Sequence, residues 1–146
     1  MSRRPRDDAG SAVVEFTLLS VALLVPLVYL ALAVMSVQRT AYGVTTAVRE
    51  AGRAFVTADT VAAARPRAEA AARLALADQG LVLPDTALVI SCRGGPCLTP
   101  GSLVEVRLDL AVPLPFVPAP FDDGGSLSIP VSASHTAGVD RFRSAP

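Results

Sequence analysis

Residues Phe16–Val37 read FTLLSVALLVPLVYLALAVMSV, 22 positions without a charge. As a helix rising ~1.5 Å per residue, they cover a hydrocarbon layer of ~30 Å. Thirteen of them are Leu, Val or Phe. At ~0.3–0.6 kcal/mol each near a bilayer centre, these favour insertion by roughly 4–8 kcal/mol, more than the serines, the threonine and Pro26 take back. Pro26 removes one backbone donor mid-segment, a defect that membrane helices tolerate. The flanks set a direction. Arg3, Arg4 and Arg6 precede the segment and only Arg39 follows it closely. That asymmetry predicts a cytoplasmic N-terminus and export of the C-terminal bulk. Two other readings fit the same segment. One is a plain single-pass anchor. The other is a secretory signal cut after Ala33 in Ala31-Leu32-Ala33, freeing a soluble binding domain that starts at Val34. The apolar stretch before Ala33 is at the long limit for a signal, and a helical pattern runs straight through it.

The chain of 146 residues is 51% apolar and 18% charged, with thirteen arginines against thirteen acids and zero net charge. That length allows one domain, or one small domain plus a tether. A neutral chain lacks the basic field of a nucleic-acid binder. There is no Lys and no Trp, and only one His and two Cys. Little material remains for a metal site, a cofactor site or a nucleophilic centre. Neither an enzyme nor a receptor for a small-molecule substrate is expected, and no cofactor.

Beyond the apolar segment, Leu30, Val34, Val37, Ala41, Val44, Val48, Ala51 and Phe55 recur at steps of four and three. This spacing keeps one stripe on one side of a helix, with Arg39, Thr46, Arg49, Glu50 and Arg53 off it. One helix of about forty residues is therefore predicted, starting in lipid and ending amphipathic in water. A second helix is predicted from about Asp59 to Gln79, capped by Asp59, supported by a Glu69–Arg73 pair and ended by Gly80. Pro66 either kinks it or marks its start.

After Gly80 the period changes to two. Residues 103–112 (LVEVRLDLAV) place Val104, Val106, Leu108, Leu110 and Val112 on one face and Glu105, Arg107 and Asp109 on the other, the pattern of a half-buried strand. Ala87–Cys92 precedes it as a strand and Ser126–Ser134 follows as a third, where Pro130 implies an edge or a bulge. The fold class predicted is α+β: a long N-terminal helix, a second helix and a small antiparallel sheet of three strands. Cys92 and Cys97 could form half of a zinc site, but there is no second pair and His135 stands alone. In an exported domain a disulfide closing the loop between the first two strands is the better reading, adding about 2 kcal/mol by the chain-entropy model. Residues 113–121 (PLPFVPAPF) suit a stiff connector whose Phe side chains pack on the sheet, in preference to a proline-rich docking segment. Ser134 beside His135 suggests a triad, but adjacent strand residues point to opposite faces, so no catalytic role is assigned.

Glu15 abuts the apolar run with no charge beside it. An ionised group costs at least ~2.5–3.5 kcal/mol at a bilayer centre and less near the interface. Its setting is Gly10, Ser11-Ala12-Val13-Val14, then Glu15-Phe16 and the apolar helix. This spacing resembles a prepilin peptidase recognition sequence, and more narrowly the G-x-x-x-x-E-F junction of TadE-like pseudopilins of tight-adherence (Flp-type) pilus systems. The tail adds to the likeness: Cys92, the alternating strand ending Val112-Pro113, and SASHTAGVDRFR at 132–143 with its Val139-Asp140-Arg141-Phe142. Gly52 in the stripe and Pro66 in the second helix depart from the pattern. The resemblance implies cleavage between Gly10 and Ser11, so that Glu15 becomes the fifth residue of the mature chain. A new ammonium at Ser11 would then lie one turn before Glu15, which would face the positive end of the helix dipole. In a filament Glu15 would pair with a neighbouring subunit's ammonium. The organisation implied is a leader at 1–10, a transmembrane helix at 11–38, an exported helical region at 39–80 and an exported strand-rich region at 81–146. The partners implied are the membrane, other pilins or pseudopilins, prepilin peptidase and an inner-membrane assembly platform. The chain would reside in the inner membrane or be incorporated in a pilus.

Overall fold

The computed structural model describes residues 9–113 and 128–144, with side chains of the first helix from Ala12 onward. It is α+β, as the sequence predicts: helix α1 (Ala9–Val56), helix α2 (Val61–Ala77) and strands β1 (Leu88–Arg93), β2 (Leu103–Pro113) and β3 (Ser128–Gly138). Contacts divide the chain into two compact units, residues 1–35 and 36–146. In the first unit α1 passes through Pro26 without a break. Its large apolar side chains are exposed on every side; Leu23, for example, keeps 66% of its surface. The core helix of a soluble protein would have buried them.

In the second unit the C-terminal part of α1 becomes one-sided. Thr40, Val44, Ala47, Val48, Ala51 and Phe55 are buried. The predicted stripe therefore holds from Val44 onward, whereas Val37 and Ala41 are half-buried and Leu30 and Val34 exposed. The buried face is shifted toward small residues, Gly43, Ala47 and Gly52, because bulk there would hold the helix away from its neighbours. At Gly43 a Cβ would come within 2.9 Å of Leu81 Cδ1. At Gly52 it would lie 3.2 Å from His135 Cδ2 and 3.4 Å from the Ala137 Cβ. Gly52 thus marks where α1 approaches β3 closely, rather than a weak point in the stripe.

Helix α2 buries Ala64, Ala68, Ala72 and Ala75, a ridge of small side chains at steps of four and three, together with Leu76. Its N-cap is Thr60, not Asp59: the Ala63 amide donates to Thr60 Oγ1 at 3.3 Å. Asp59 instead pairs with Arg67 at 3.6 Å. The helix runs through Pro66 as one element. Gly80, at φ +66°, ends it while the Leu81 amide donates to the Leu76 carbonyl at 2.9 Å, a Schellman-type stop. The expected Glu69–Arg73 pair does not form. Glu69 takes Arg65 at 3.8 Å, and Arg73 reaches Asp85 at 3.5 Å. Such exposed pairs are nearly equal in energy, so a nearby loop carboxylate suffices to redirect one.

The strands form an antiparallel sheet in the order β1-β2-β3. Pairing Leu88 with Leu108 and Leu108 with Ala133 fixes the register. The inner face carries Leu88, Ile90 and Cys92; Val104, Val106 and Leu108; and Ala133, His135 and Ala137. All of these but His135 and Ala137 meet both helices in one hydrophobic cluster. Pro130 sits on the edge strand, as predicted. The third strand extends to Gly138, beyond the predicted Ser134, because β2 offers partners down to Leu103. Residues 114–121 of the proline-rich run, and 126–127, lie outside the described residues.

Arg143 ties the C-terminal segment to the helices. Its guanidinium donates to the carbonyls of Val56 at 2.9 Å and Asp59 at 3.1 Å, and to that of Ala58. These are carbonyls at and just beyond the end of α1, where no helical amide follows to bond them.

Gly52→Leu should lower the stability of the full chain in detergent by about 1–3 kcal/mol, through overpacking against His135 and Ala137. Gly52→Ala should be milder, since the gain of about 1 kcal/mol in helix propensity offsets the tight contact. Thermal unfolding followed by circular dichroism checks both. Equal stability of Gly52→Leu and the wild type would contradict the close approach.

Candidate functional site

The residues singled out at the start of the chain all fall on α1. Gly10 and Ser11 lie within its first turn, since the helix begins at Ala9. Glu15 therefore stands in the second turn of the uncut chain. In a helix that began at Ser11 it would be the fifth residue, one turn after the new N-terminus. The reason is local: Gly10 lowers helix propensity but does not stop a helix whose neighbours favour it. Glu15 is exposed and makes no ion pair among the described residues. Phe16 is also exposed. Around them Val13, Val14, Leu18 and Val21 give this helix surface an almost wholly apolar character. The Thr17 hydroxyl is no exception, because it donates to the Val13 carbonyl at 2.8 Å within the helix. One acid thus stands at the head of an apolar rod. The rod is long and apolar enough to cross a membrane, which fits single-pass anchoring.

Cys92 and Cys97 are bonded to each other, with Cα atoms 5.5 Å apart. They close the loop between β1 and β2, where Gly94 and Gly95 supply positive φ angles of 85° and 140°. The bond uses both thiols. No cluster of three or more metal-ligating side chains occurs among the described residues. His135 lies on the inner face above Gly52, paired with Val106, while Ser134 points outward. The two cannot act on one substrate atom.

The outer face of the sheet is mostly polar, although Val89 and Leu103 are exposed on it. Arg93 pairs with Glu105 across β1 and β2, and Ser132, Ser134 and Thr136 line β3. On β2, Arg107 donates to both Asp109 oxygens, at 3.0 and 3.1 Å. These hydrogen bonds hold the Asp109 carboxyl below its ordinary range, against a smaller opposing effect of desolvation. The same hydrogen bonds raise the Arg107 guanidinium, which stays charged throughout. Sequence reading missed two features of this unit, Arg143 and Gly52. Their partners are 84 and more residues away in sequence for Arg143, and a lone Arg or Gly announces no such partner.

The chain matches no protein-family model, no curated protein and no solved structure.

A carboxyl lowered in the folded state stabilises the fold above the ordinary carboxylate range. That contribution is lost as the pH falls through the folded Asp109 value. Arg107→Gln should move the Asp109 titration upward toward the ordinary range, read by NMR of its carboxyl carbon. An unchanged titration would show that Arg107 does not govern it.

Proposed function

We propose that this chain is a TadE-like pseudopilin, a minor structural or assembly component of a tight-adherence (type IV-related, Flp) pilus. The observation that carries the proposal is α1 itself. One helix presents apolar side chains on all sides over its first part and, from residue 36, one face of a packed α+β domain. A pilin-like subunit needs both. The apolar part holds the subunit in the membrane and later packs among other helices, while the domain remains in water. The G-x-x-x-x-E-F spacing at Gly10–Phe16 supports the same reading.

In this proposal the N-terminus is cytoplasmic and residues 39–146 are exported. Prepilin peptidase hydrolyses the bond between Gly10 and Ser11, leaving a carboxylate on Gly10 and an ammonium on Ser11. Glu15 recognises the ammonium of a neighbouring pilin. The pairing has force because it forms among apolar helices, where an unpaired charge costs several kcal/mol. It selects one axial register, since a shift by one turn separates the two charges. The chain catalyses nothing. Its chemistry is recognition by the peptidase, insertion, and association with other pilins and an inner-membrane platform. The bonded Cys92–Cys97 loop suits an oxidising exterior.

Substitution separates processing from assembly. Gly10→Val should leave the leader attached, seen as a heavier chain in membranes of a host carrying a prepilin peptidase. Glu15→Val should be trimmed normally yet fail to cross-link to neighbouring pilins. A Gly10→Val chain processed like the wild type, or an untrimmed wild type, would reduce the protein to a plain membrane-anchored domain.

A further inference from the structure

We propose that the exported domain carries a phospholipid-headgroup site built from Arg39, the Gly80–Pro84 loop and the C-terminal end of β2. The inference rests on the membrane-anchored reading above. These elements surround a cleft of about 420 Å³ within the second unit, whose lining includes Ser36, Arg39, Leu81, Val82, Asp109 and Pro113.

Three observations point to lipid. First, Arg39 follows the apolar segment by two residues. At ~1.5 Å per residue its Cα lies ~3 Å beyond Val37, inside a headgroup layer several ångströms deep. Secondly, Arg39 is exposed and in no ion pair among the described residues. Asp109, the one acidic residue lining the cleft among those described, has both carboxylate oxygens engaged by Arg107. A guanidinium left without an acid is matched to a phosphodiester, which it can grip with two parallel N–H groups. Thirdly, Val82 keeps 84% of its surface although it is flanked by half-buried Leu81 and by Leu83, which is 7% exposed. The buried Leu83 pins the loop, so Val82 is held outward on a fixed support. An apolar side chain beside a cation, at the end of an apolar segment, matches the boundary between acyl chains and headgroups. Arg39 would hold the phosphate while Val82 rests against the glycerol and upper acyl region.

The chain has no Trp, so a single introduced Trp reports its own depth. Full-length chain in nanodiscs containing phosphatidylglycerol and brominated phosphatidylcholine would carry Leu24→Trp, Val82→Trp or Phe142→Trp. Phe142 is 95% exposed and lies three residues beyond Val139, which bonds Gly101 and Ser102 at the opposite end of β2 from the cleft. Leu24→Trp should be strongly quenched. Val82→Trp should be quenched about twofold or more above Phe142→Trp, with a blue-shifted emission, as expected for a side chain at the acyl boundary. Adding Arg39→Gln should reduce the quenching at position 82. Quenching at 82 no greater than at 142, with position 24 quenched, would overturn the headgroup site and leave the anchor intact. An unquenched Leu24→Trp would overturn the anchored reading and this inference together. An equal shift at 82 with inorganic phosphate in phospholipid-free detergent would identify a general anion site and overturn the lipid assignment.

Discussion

Everything in this chain depends on α1 keeping one backbone conformation while its surroundings change. A helix satisfies its own amides and carbonyls, so it is a structure that both hydrocarbon and water accept. The side chains carry the change. From Phe16 to residue 35 nearly all the large ones are apolar and exposed. From residue 36 they divide into a buried face and one bearing Arg39, Arg49, Glu50 and Arg53. No loop separates the two regimes.

The second regime is built on close approach rather than on large side chains. Gly43, Ala47, Ala51 and Gly52 of α1, with Ala64, Ala68 and Ala72 of α2, contribute little apolar area each. What they permit is proximity, which brings Val44, Val48, Phe55 and Leu76 onto Leu88, Val104, Val106 and Leu108. The core is small, and covalent and polar ties support it. The Cys92–Cys97 bond limits the unfolded loop, and Arg143 holds the C-terminal segment against the end of α1.

The sequence was most legible where one physical rule acted alone. Alternation along β2 showed both faces of the sheet, because a one-residue slip would have buried Glu105, Arg107 and Asp109. Gly80 was legible as a helix stop because a positive φ favours glycine. Reading failed where two candidates were nearly equal in energy, as with Asp59 and Thr60 for the N-cap or Arg65 and Arg73 for Glu69. It failed also where the partner was remote. Gly52 looked like a fault in a helix until His135 and Ala137 stood opposite it, and the length of β3 depended on that of β2. The Gly10–Phe16 junction is different in kind. Its spacing was legible as a resemblance, but a helix running through Gly10 does not report whether a peptidase cuts there.

The most direct measurement is the intact mass of the chain recovered from membranes of its native host. A species beginning at Ser11, with Cys92 and Cys97 oxidised, is the expected result; it means that the leader is removed and the apolar helix retained. A species beginning at Met1 or Ser2 would contradict the pilin-like reading, and a soluble species beginning at Val34 would contradict anchoring altogether.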